Sequence, residues 1–302
     1  MASPSARGQR RTAALLLTPF FGLFAAVTLA PLLYAAWLSL FTTRTSGLGF
    51  GGTENVFTGL GNYARALSDE AFRDGFLVIA AYCAIYIPVM IGGSLALALL
   101  LDSGLAKARS FFQLALFLPH AVPGLIAALI WVYLYTPGLS PVIDLLESGG
   151  ISVNFLSVDN AVFSAANIAV WEWTGYNMVI FYAALQAVPR ETLDAAKVDG
   201  AGAVRTALSI KVPMIGPAIA LAVLFTVIGS IQLFTEPKVI YNASSAIGSS
   251  WTPNMYVQTA AFQNNDFGLA AAASLLIALF AAVLSFAVTR ISSRISRRGS
   301  TS

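Results

Sequence analysis

Side chains that could do chemistry are scarce in this sequence. The 302 residues include one histidine, His120, and one cysteine, Cys83, which are too few for an internal disulfide or for a zinc site of His and Cys ligands. Glu172 is the one charged residue inside a long apolar stretch, and Asp199 lies in a charged segment further along the chain. We therefore predict no metal site, no catalytic residues and no enzymatic activity for this chain.

The sequence also lacks two common features through which membrane proteins obtain energy. None of its four lysines follows a glycine, so there is no GxxxxGK[ST] phosphate-binding loop and no cofactor is expected. Ion-coupled carriers usually place several ionisable groups inside the membrane, whereas Glu172 is the only candidate here. Energy for transport would then come from a partner subunit.

The elements that position these residues are apolar helices. Hydrophobic residues make up 57% of the chain and charged residues 10%, against about 25% charged residues in soluble domains. A helix needs about 20 apolar residues to cross a bilayer. Six stretches meet this requirement and predict an all-α membrane protein with six transmembrane helices: 13–41, 75–101, 110–135, 161–187, 212–235 and 267–289.

The basic residues predict the orientation of these spans. Thirteen of the seventeen Lys and Arg residues fall on one side if both termini are cytoplasmic, as the positive-inside rule requires. The predicted organisation is a cytoplasmic N-terminus (1–12), a single transmembrane domain (13–290) and a cytoplasmic C-terminal tail (291–302). The first apolar run is too long for a cleaved signal peptide and is interpreted as an uncleaved anchor.

The cytoplasmic loop 190–212, between predicted spans four and five, is the most informative segment. From 194 to 213 it reads DAAKVDGAGAVRTALSIKVP. This pattern predicts a short helix over 194–198, a break at Gly200, where glycine can turn the chain, and a second helix ending at Pro213. A helical hairpin would therefore project from the membrane.

This loop closely resembles that of binding-protein-dependent ABC importer permeases, in which EAA, two residues and DGA are followed about a dozen residues later by LP. The matching positions are Asp194, Ala195, Ala196, Asp199, Gly200, Ala201, Ile210 and Pro213. Two positions depart from the family pattern: Asp194 replaces the usual Glu, and Ala207 replaces the usual Phe. The resemblance implies that Asp194, Ala195, Ala196, Asp199, Gly200 and Ala201 couple the chain to an ATPase.

Further stretches from about residue 15 to residue 290 are similar to the carbohydrate branch of that family. They are GLGNY (59–63), FLPHAVPGLIAALIWVYLY (117–135), WEWTGYNM (171–178), LQAVP (185–189), FTEP (234–237) and AFQNNDFGLAAAAS (261–274). The resemblance implies a type I importer fold and a permease subunit that forms half of the translocation pathway for a sugar or oligosaccharide in the bacterial inner membrane.

The same resemblance implies the partners. They are a second homologous permease, two cytoplasmic ATPase subunits that bind ATP and dock through loop 194–213, an extracytoplasmic sugar-binding protein and membrane lipid, with no nucleic acid. Glycerol phosphate or another polyol is an alternative substrate. A self-sufficient secondary carrier is a less favoured alternative, and an amphipathic hairpin on the membrane surface is an alternative interpretation of the loop.

Candidate substrate positions follow from depth and from the resemblance. At 1.5 Å per residue, Tyr176 lies about 16 Å above the cytoplasmic end of span four, and Thr226 and Ser230 lie about 20 and 25 Å into span five. The matching positions in maltose-type relatives line a sugar site, and Asn177 and Gln232 are weaker additions. Alternatively, the Ser and Thr hydroxyls bond only to helix backbone.

The remaining polar residues are expected to have structural roles. Counting along the spans puts His120 near the inner end of span three and Glu172 toward the outer face beside an aromatic belt. With Asp199 in the cytoplasmic loop, the three depths do not converge on a catalytic site. Tyr82 and Tyr86, one turn apart, are expected to pack against another helix.

Overall fold

The computed structural model describes residues 6–45, 53–104, 108–244 and 246–299. Residues 1–5 and 300–302 of the predicted cytoplasmic ends lie outside this part, as does Lys107. The described chain is mostly helical and divides into two compact units, residues 1–69 with 257–276 and residues 70–256 with 277–302. Each unit is described separately.

The first unit contains two helices joined by a π-helical turn, a β-hairpin and a short helix. Its elements are α1 (Ala6–Phe24), the π-helical turn Ala25–Leu29, α2 (Ala30–Leu38), β1 (Phe41–Thr45), β2 (Thr53–Phe57), α3 (Gly61–Ser68) and the π-helical turn Thr259–Gln263. The strands pair antiparallel, with Phe41 opposite Phe57. This hairpin corrects the all-α prediction: Thr and aromatic residues favour extended backbone, a signal that the search for apolar spans did not consider.

Two stretches that the resemblance singled out have structural roles in this unit. Asn62 of GLGNY is buried, and its Nδ2 donates to the carbonyl oxygens of Ser39 at 2.9 Å and Phe41 at 2.7 Å. Arg65 forms an ion pair of 2.7 Å with Asp266 of the NNDFG stretch. A Cβ on Gly268 would overlap the carbonyl oxygen of Phe41. These stretches therefore fix the backbone around the hairpin.

The second unit is built from helices. Its elements are α4 (Glu70–Asp102), α5 (Arg109–Phe117), the 3₁₀ turn Leu118–Ala121, α6 (Gly124–Tyr135), α7 (Pro141–Ser148), α8 (Ala161–Gln186), α9 (Arg190–Val198), α10 (Ala203–Thr206), the π-helical turn Ala207–Lys211, α11 (Val212–Met214), α12 (Gly216–Ile231) and α13 (Thr235–Ala243). Helices α14 (Pro253–Gln258) and α15 (Phe267–Gly299) each have residues in both units.

Close packing of α4 and α8 forms the centre of this unit. Residues of α4 are buried at every third or fourth position, the spacing of one helix face. The Ser94 hydroxyl of α4 donates to the Thr174 carbonyl of α8 at 2.8 Å. On α8, a Cβ at Gly175 would overlap the backbone carbonyl of Leu116 in α5. Glycine at 175 therefore lets two helix backbones touch.

Two of the predicted spans are broken. The helical segments Arg109–Ala121 and Gly124–Tyr135 meet at 95°, and Ala203–Met214 and Gly216–Ile231 meet at 66°. Pro123 precedes the second segment of the first pair, and proline disfavours helical backbone at the residue before it. Ile215 separates the members of the second pair. Predicted span three therefore bends sharply instead of crossing as a straight helix, and predicted span five (212–235) has its bend at its start, where the preceding loop meets α12.

Span counting in the described residues gives between three and five candidates. Thr12–Leu38, Glu70–Asp102 and Phe267–Arg290 are long and apolar enough individually, and each bent pair adds one if it counts as a single span. Helix α8 coincides with the predicted fourth span but is not among them; it carries Asn167, Glu172 and Asn177. The chain is thus a multi-pass membrane protein, while the count of six and the position of its termini stay predictions.

Candidate functional site

A cavity of about 610 Å³ lies in the second unit between α4, α8, α12 and α13. Its volume is in the range of pockets that hold small molecules. All five of the predicted pathway residues line this cavity, although they come from different parts of the chain: Tyr176, Asn177, Thr226, Ser230 and Gln232. The structure therefore brings together the residues that depth and resemblance selected.

Helical spacing explains how α8 and α12 present these residues. Trp173, Tyr176 and Asn177 are at i, i+3 and i+4 on α8, which places them on one face. Thr226 and Ser230 have the same relation on α12. The two polar faces meet across the cavity.

Three of the polar side chains also bond to their own helices. The Thr226 hydroxyl donates to the Ala222 carbonyl at 2.7 Å and the Ser230 hydroxyl donates to the Thr226 carbonyl at 2.8 Å. Asn177 Nδ2 donates to the Trp173 carbonyl at 3.1 Å. The backbone bonds considered as the alternative for Thr226 and Ser230 are therefore present, and the same residues also line the cavity.

Aromatic side chains supply much of the remaining lining. Tyr82 and Tyr86 of α4 reach the cavity with ring centroids 5.1 Å apart, and Trp173 and Tyr176 of α8 are 5.8 Å apart with their planes nearly perpendicular. Only a packing role was predicted for Tyr82 and Tyr86. They do pack in the core, but their one-turn spacing in a span was also a signal for a shared surface.

Glu236 is the one charged residue that lines the cavity within the described chain. It lies in the first turn of α13, directly after the fifth predicted span, and was not among the predicted site residues. Lys238 follows two residues later, but its ammonium lies 4.9 Å from the centroid of the Tyr241 ring. The sequence signal for Glu236 was the FTEP stretch (234–237), which indicated only the resemblance to the family.

The structure corrects the depth argument about His120 and Glu172. The His120 ring lies 4.6 Å from Trp173 and 4.5 Å from Tyr176, centroid to centroid, so it contacts the helix that carries Glu172. Glu172 is buried, and a Cβ on Gly124 would be 3.5 Å from its Oε1. Counting along a straight helix was wrong for His120 because the 95° bend follows it.

The second candidate region is the segment 190–214, which we call the 190–214 hairpin. Helix α9 ends at Val198, and Gly200 has a φ of +75°. The Gly200 amide donates to the Lys197 carbonyl at 3.0 Å and the Ala201 amide to the Ala196 carbonyl at 2.9 Å. These two bonds form a Schellman turn, which requires the left-handed backbone that glycine adopts readily.

The predicted coupling residues lie on and around this turn. Ala196 is buried, whereas Asp194, Ala195, Asp199 and Gly200 are exposed and Ala201 is half-buried. Lys197 Nζ is 2.8 Å from Asp194 Oδ1 and holds the pKa of the Asp194 carboxyl below its ordinary value.

Large apolar side chains of the 190–214 hairpin are also exposed, with Val198 88% and Val204 72% accessible. Exposed apolar residues of this kind mark interaction surfaces when they cluster. The second helix continues one residue past Pro213, to Met214, instead of ending at the proline as predicted.

An ion pair ties the hairpin to the helices beneath it. Lys211 pairs with Asp102, the last residue of α4, and both side chains are largely buried. The Gln186 amide at the end of α8 donates to the other oxygen of Asp102 at 2.6 Å. Asp102 thus joins α4, α8 and the π-helical turn Ala207–Lys211 of the 190–214 hairpin.

Comparison with known proteins identifies what this architecture is similar to. Residues 106–298 match the family described as the inner membrane component of binding-protein-dependent transport systems. The chain is 31% identical over 284 residues to the trehalose transport system permease protein SugA of Mycobacterium tuberculosis, covering 93% of this chain and 89% of that protein.

Two other relatives cover nearly as much. The lactose transport system permease protein LacF of Rhizobium radiobacter is 30% identical, covering 90% of this chain and 91% of that protein. The sn-glycerol-3-phosphate transport system permease protein UgpA of Yersinia pseudotuberculosis is 29% identical, with 88% of each chain covered.

A solved structure shares the fold. It is the crystal structure of a bacterial ABC transporter involved in the import of the acidic polysaccharide alginate, with a TM-score of 0.76, 19% identity and coverage of 95% of this chain and 97% of that one.

Proposed function

The chain belongs to the family of inner membrane components of binding-protein-dependent transport systems, and we propose that it is the permease subunit of an ABC importer for a sugar or oligosaccharide. The observation that carries this proposal is the cavity, which combines aromatic faces with uncharged polar groups on α8 and α12. A sugar offers C–H faces and hydroxyl groups, so it can use both kinds of surface.

The proposed assembly supplies what this chain lacks. A second homologous permease would complete the pathway, and an extracytoplasmic binding protein would deliver the sugar. Two cytoplasmic ATPase subunits would bind ATP and dock on the 190–214 hairpin, where Val198 and Val204 are exposed. This chain would itself be non-catalytic and would lie in the bacterial inner membrane with six spans, a type I importer fold and both termini in the cytoplasm.

Coupling would operate through the hairpin. Asp194, Ala195, Ala196, Asp199, Gly200 and Ala201 would contact the ATPase, and closure of the ATPases would move the hairpin. The Lys211–Asp102 ion pair would pass that movement to α4 and, through Gln186, to α8. Because Tyr82 and Tyr86 of α4 and Tyr176 of α8 line the cavity, movement of these helices would change its shape.

Glycerol phosphate or another polyol is the second candidate substrate. The similarity to UgpA favours it, whereas the similarity to SugA and LacF favours a neutral disaccharide.

Reconstitution tests the proposal. The chain is copurified with its partner permease and ATPase, placed in proteoliposomes with its binding protein outside and ATP inside, and offered radiolabelled trehalose, lactose and glycerol 3-phosphate. We expect ATP-dependent uptake of a sugar, and Tyr176→Ala should lower it about tenfold by removing an aromatic face. Tyr133→Ala, at an exposed position outside the cavity, is the control.

Other outcomes would contradict the proposal. Uptake by the purified chain without ATPase subunits would show a secondary carrier, and unchanged uptake by Tyr176→Ala would remove Tyr176 from the pathway.

A further inference from the structure

The charged groups in the described lining of the cavity are of one sign, negative. Among its described lining residues, Glu236 is acidic and none is Lys or Arg. The two basic residues nearest in sequence to the α12 and α13 lining are engaged elsewhere, since Lys238 lies over the Tyr241 ring and Lys211 pairs with Asp102. The carboxyl group of Glu236 is either neutral or negatively charged. The described lining therefore contains no cationic side chain that could bind an anionic ligand.

The hydrogen-bonding groups that line the cavity are uncharged donors and surplus acceptors. A hydroxyl has one donor proton and two acceptor lone pairs. The hydroxyls of Thr226 and Ser230 both donate their proton to helix carbonyls, so the oxygen of each can still accept hydrogen bonds. Together with the Glu236 carboxyl, they supply acceptors, while the donors of the described lining are all uncharged: the second N–H of Asn177, the Gln232 amide, the Thr235 hydroxyl and the aromatic N–H and O–H groups.

This set of uncharged donors and surplus acceptors has a chemical complement. Each hydroxyl of a neutral sugar or polyol donates one hydrogen bond, and acceptors in the cavity can receive it. A phosphate or carboxylate brings acceptor oxygens and negative charge, and proteins usually bind such groups with Arg, Lys or clustered N–H donors. When the Glu236 carboxyl is ionised, an anion near it would meet a like charge in surroundings of low polarity, where repulsion is stronger than in water.

We propose that the cavity admits uncharged polyhydroxy compounds and rejects their phosphorylated or carboxylated counterparts, with Glu236 as the residue that enforces the choice. This proposal rests on the proposed transport function and selects neutral sugars over the glycerol phosphate alternative. The selection is made by the permease itself, in addition to any made by the binding protein.

Equilibrium binding to the assembled transporter tests the proposal without the binding protein. The complex of this chain with its partner subunits is placed in lipid nanodiscs and titrated with radiolabelled trehalose and lactose as neutral ligands, and with trehalose 6-phosphate and glycerol 3-phosphate as anionic ones. We expect the wild-type complex to bind a neutral sugar at least about tenfold more tightly than either anion.

The substitution Glu236→Gln keeps the shape of the side chain and removes its negative charge. We expect it to reduce the preference for neutral ligands at least about fivefold, mainly because the anions bind more tightly. Glu147→Gln, at an exposed position on α7 that does not line the cavity, is the matched control and should leave the preference unchanged.

The possible failures are distinguishable. Equal or tighter binding of the anions overturns the proposed selectivity but leaves sugar import intact, and a preference unchanged in Glu236→Gln overturns the role of Glu236. Binding of no ligand by a complex that still imports sugar also overturns the proposal, because the cavity would not hold substrate. If the complex imports no sugar in proteoliposomes, the proposed function fails and this proposal with it.

Discussion

The cavity lining and the 190–214 hairpin are held in place in opposite ways. Lining residues such as Asn177 and Ser230 are buried and bond to their own helices, and the helices behind them touch backbone to backbone at Gly175. The hairpin exposes most of its side chains and depends on one Schellman turn and one partly buried ion pair. The buried part of the lining is thus held by its own packing, whereas the hairpin leaves its apolar surface for a partner.

Because of this difference, we expect substitutions behind the lining to change stability and substitutions in the hairpin to change coupling. In a close-packed interior a single added methyl group is felt. An exposed turn tolerates added atoms unless its backbone geometry forbids them. The following predictions, from the largest effect to the smallest, test this division.

Gly175→Ala should have the largest effect. Its Cβ would overlap the carbonyl of Leu116, and because both groups are fixed by helix backbone we expect a loss of about 3 kcal/mol or more. The measurement is the thermal unfolding midpoint and yield of the purified protein. Gly92→Ala on α4, whose Cβ would meet no atom within 4 Å, is the control. Equal midpoints for both variants would show that α5 and α8 are not packed this tightly.

Gly200→Val should uncouple ATP hydrolysis from transport while the chain stays folded. A Cβ at this position meets no atom within 4 Å, but the φ of +75° is unfavourable for a β-branched residue. Opening the turn would relieve a strain of about 1 to 2 kcal/mol. The measurement is sugar uptake per ATP hydrolysed in proteoliposomes.

Gly202→Val is the matched control for Gly200→Val. It also has open space around the added Cβ, and its φ of −68° suits any residue. If both variants uncouple equally, side-chain bulk at the partner surface is the cause and the turn geometry is not.

Asp102→Asn should have an intermediate effect on the link between the two regions. It removes the charge opposite Lys211 but keeps an acceptor for Gln186. We expect a loss of about 1 to 2 kcal/mol, less than for a fully buried pair because the side chains keep some exposure. The measurement is the unfolding midpoint, with exposed Asp159→Asn as the control. A midpoint equal to the wild type would mean that the pair does not tie the hairpin to α4.

Asp194→Asn should have the smallest effect on stability. Pairing with Lys197 lowers the pKa of Asp194, so its contribution is present at neutral pH and is lost only as the pH falls through the lowered pKa. Both side chains are exposed, and exposed pairs contribute little. We expect the unfolding midpoint to be unchanged near neutral pH. A clear decrease would show that the hairpin depends on this surface pair.

Much of the helical architecture could be predicted from the sequence because a long apolar run has few alternatives. Predicted span 161–187 corresponds to α8 (Ala161–Gln186), and 75–101 lies within α4 (Glu70–Asp102). The bend before α6 lies where Pro119 and Pro123 flank His120, for which a role in a helix kink or in packing was expected, but its angle of 95° was not predicted. The β-hairpin was missed because its pairing joins residues across a loop, which hydropathy does not report.

The lining of the cavity could be predicted only in part, because hydropathy and depth do not report which distant residues meet. Helical rise gave comparable depths for Tyr176 and Thr226, and the structure places both in one cavity. Depth does not say which way a helix face points, so Tyr82 and Glu236 were missed: their position depends on how α4 and α13 rotate against α8. The Schellman turn at Gly200 was predictable because it is local, whereas the Lys211–Asp102 pair joins residues 109 positions apart.

Cys83 gives this protein a natural attachment site for a spectroscopic label. It is the single cysteine of the sequence and lies half-buried on α4 between the cavity-lining residues Tyr82 and Tyr86. A nitroxide spin label can be attached to Cys83 without first removing other cysteines from this chain. A second label at an exposed hairpin position such as Val198 would then allow the distance between the two labels to be measured. Pulsed electron resonance on that pair could then follow, in one labelled chain, whether nucleotide binding changes the separation of the two regions.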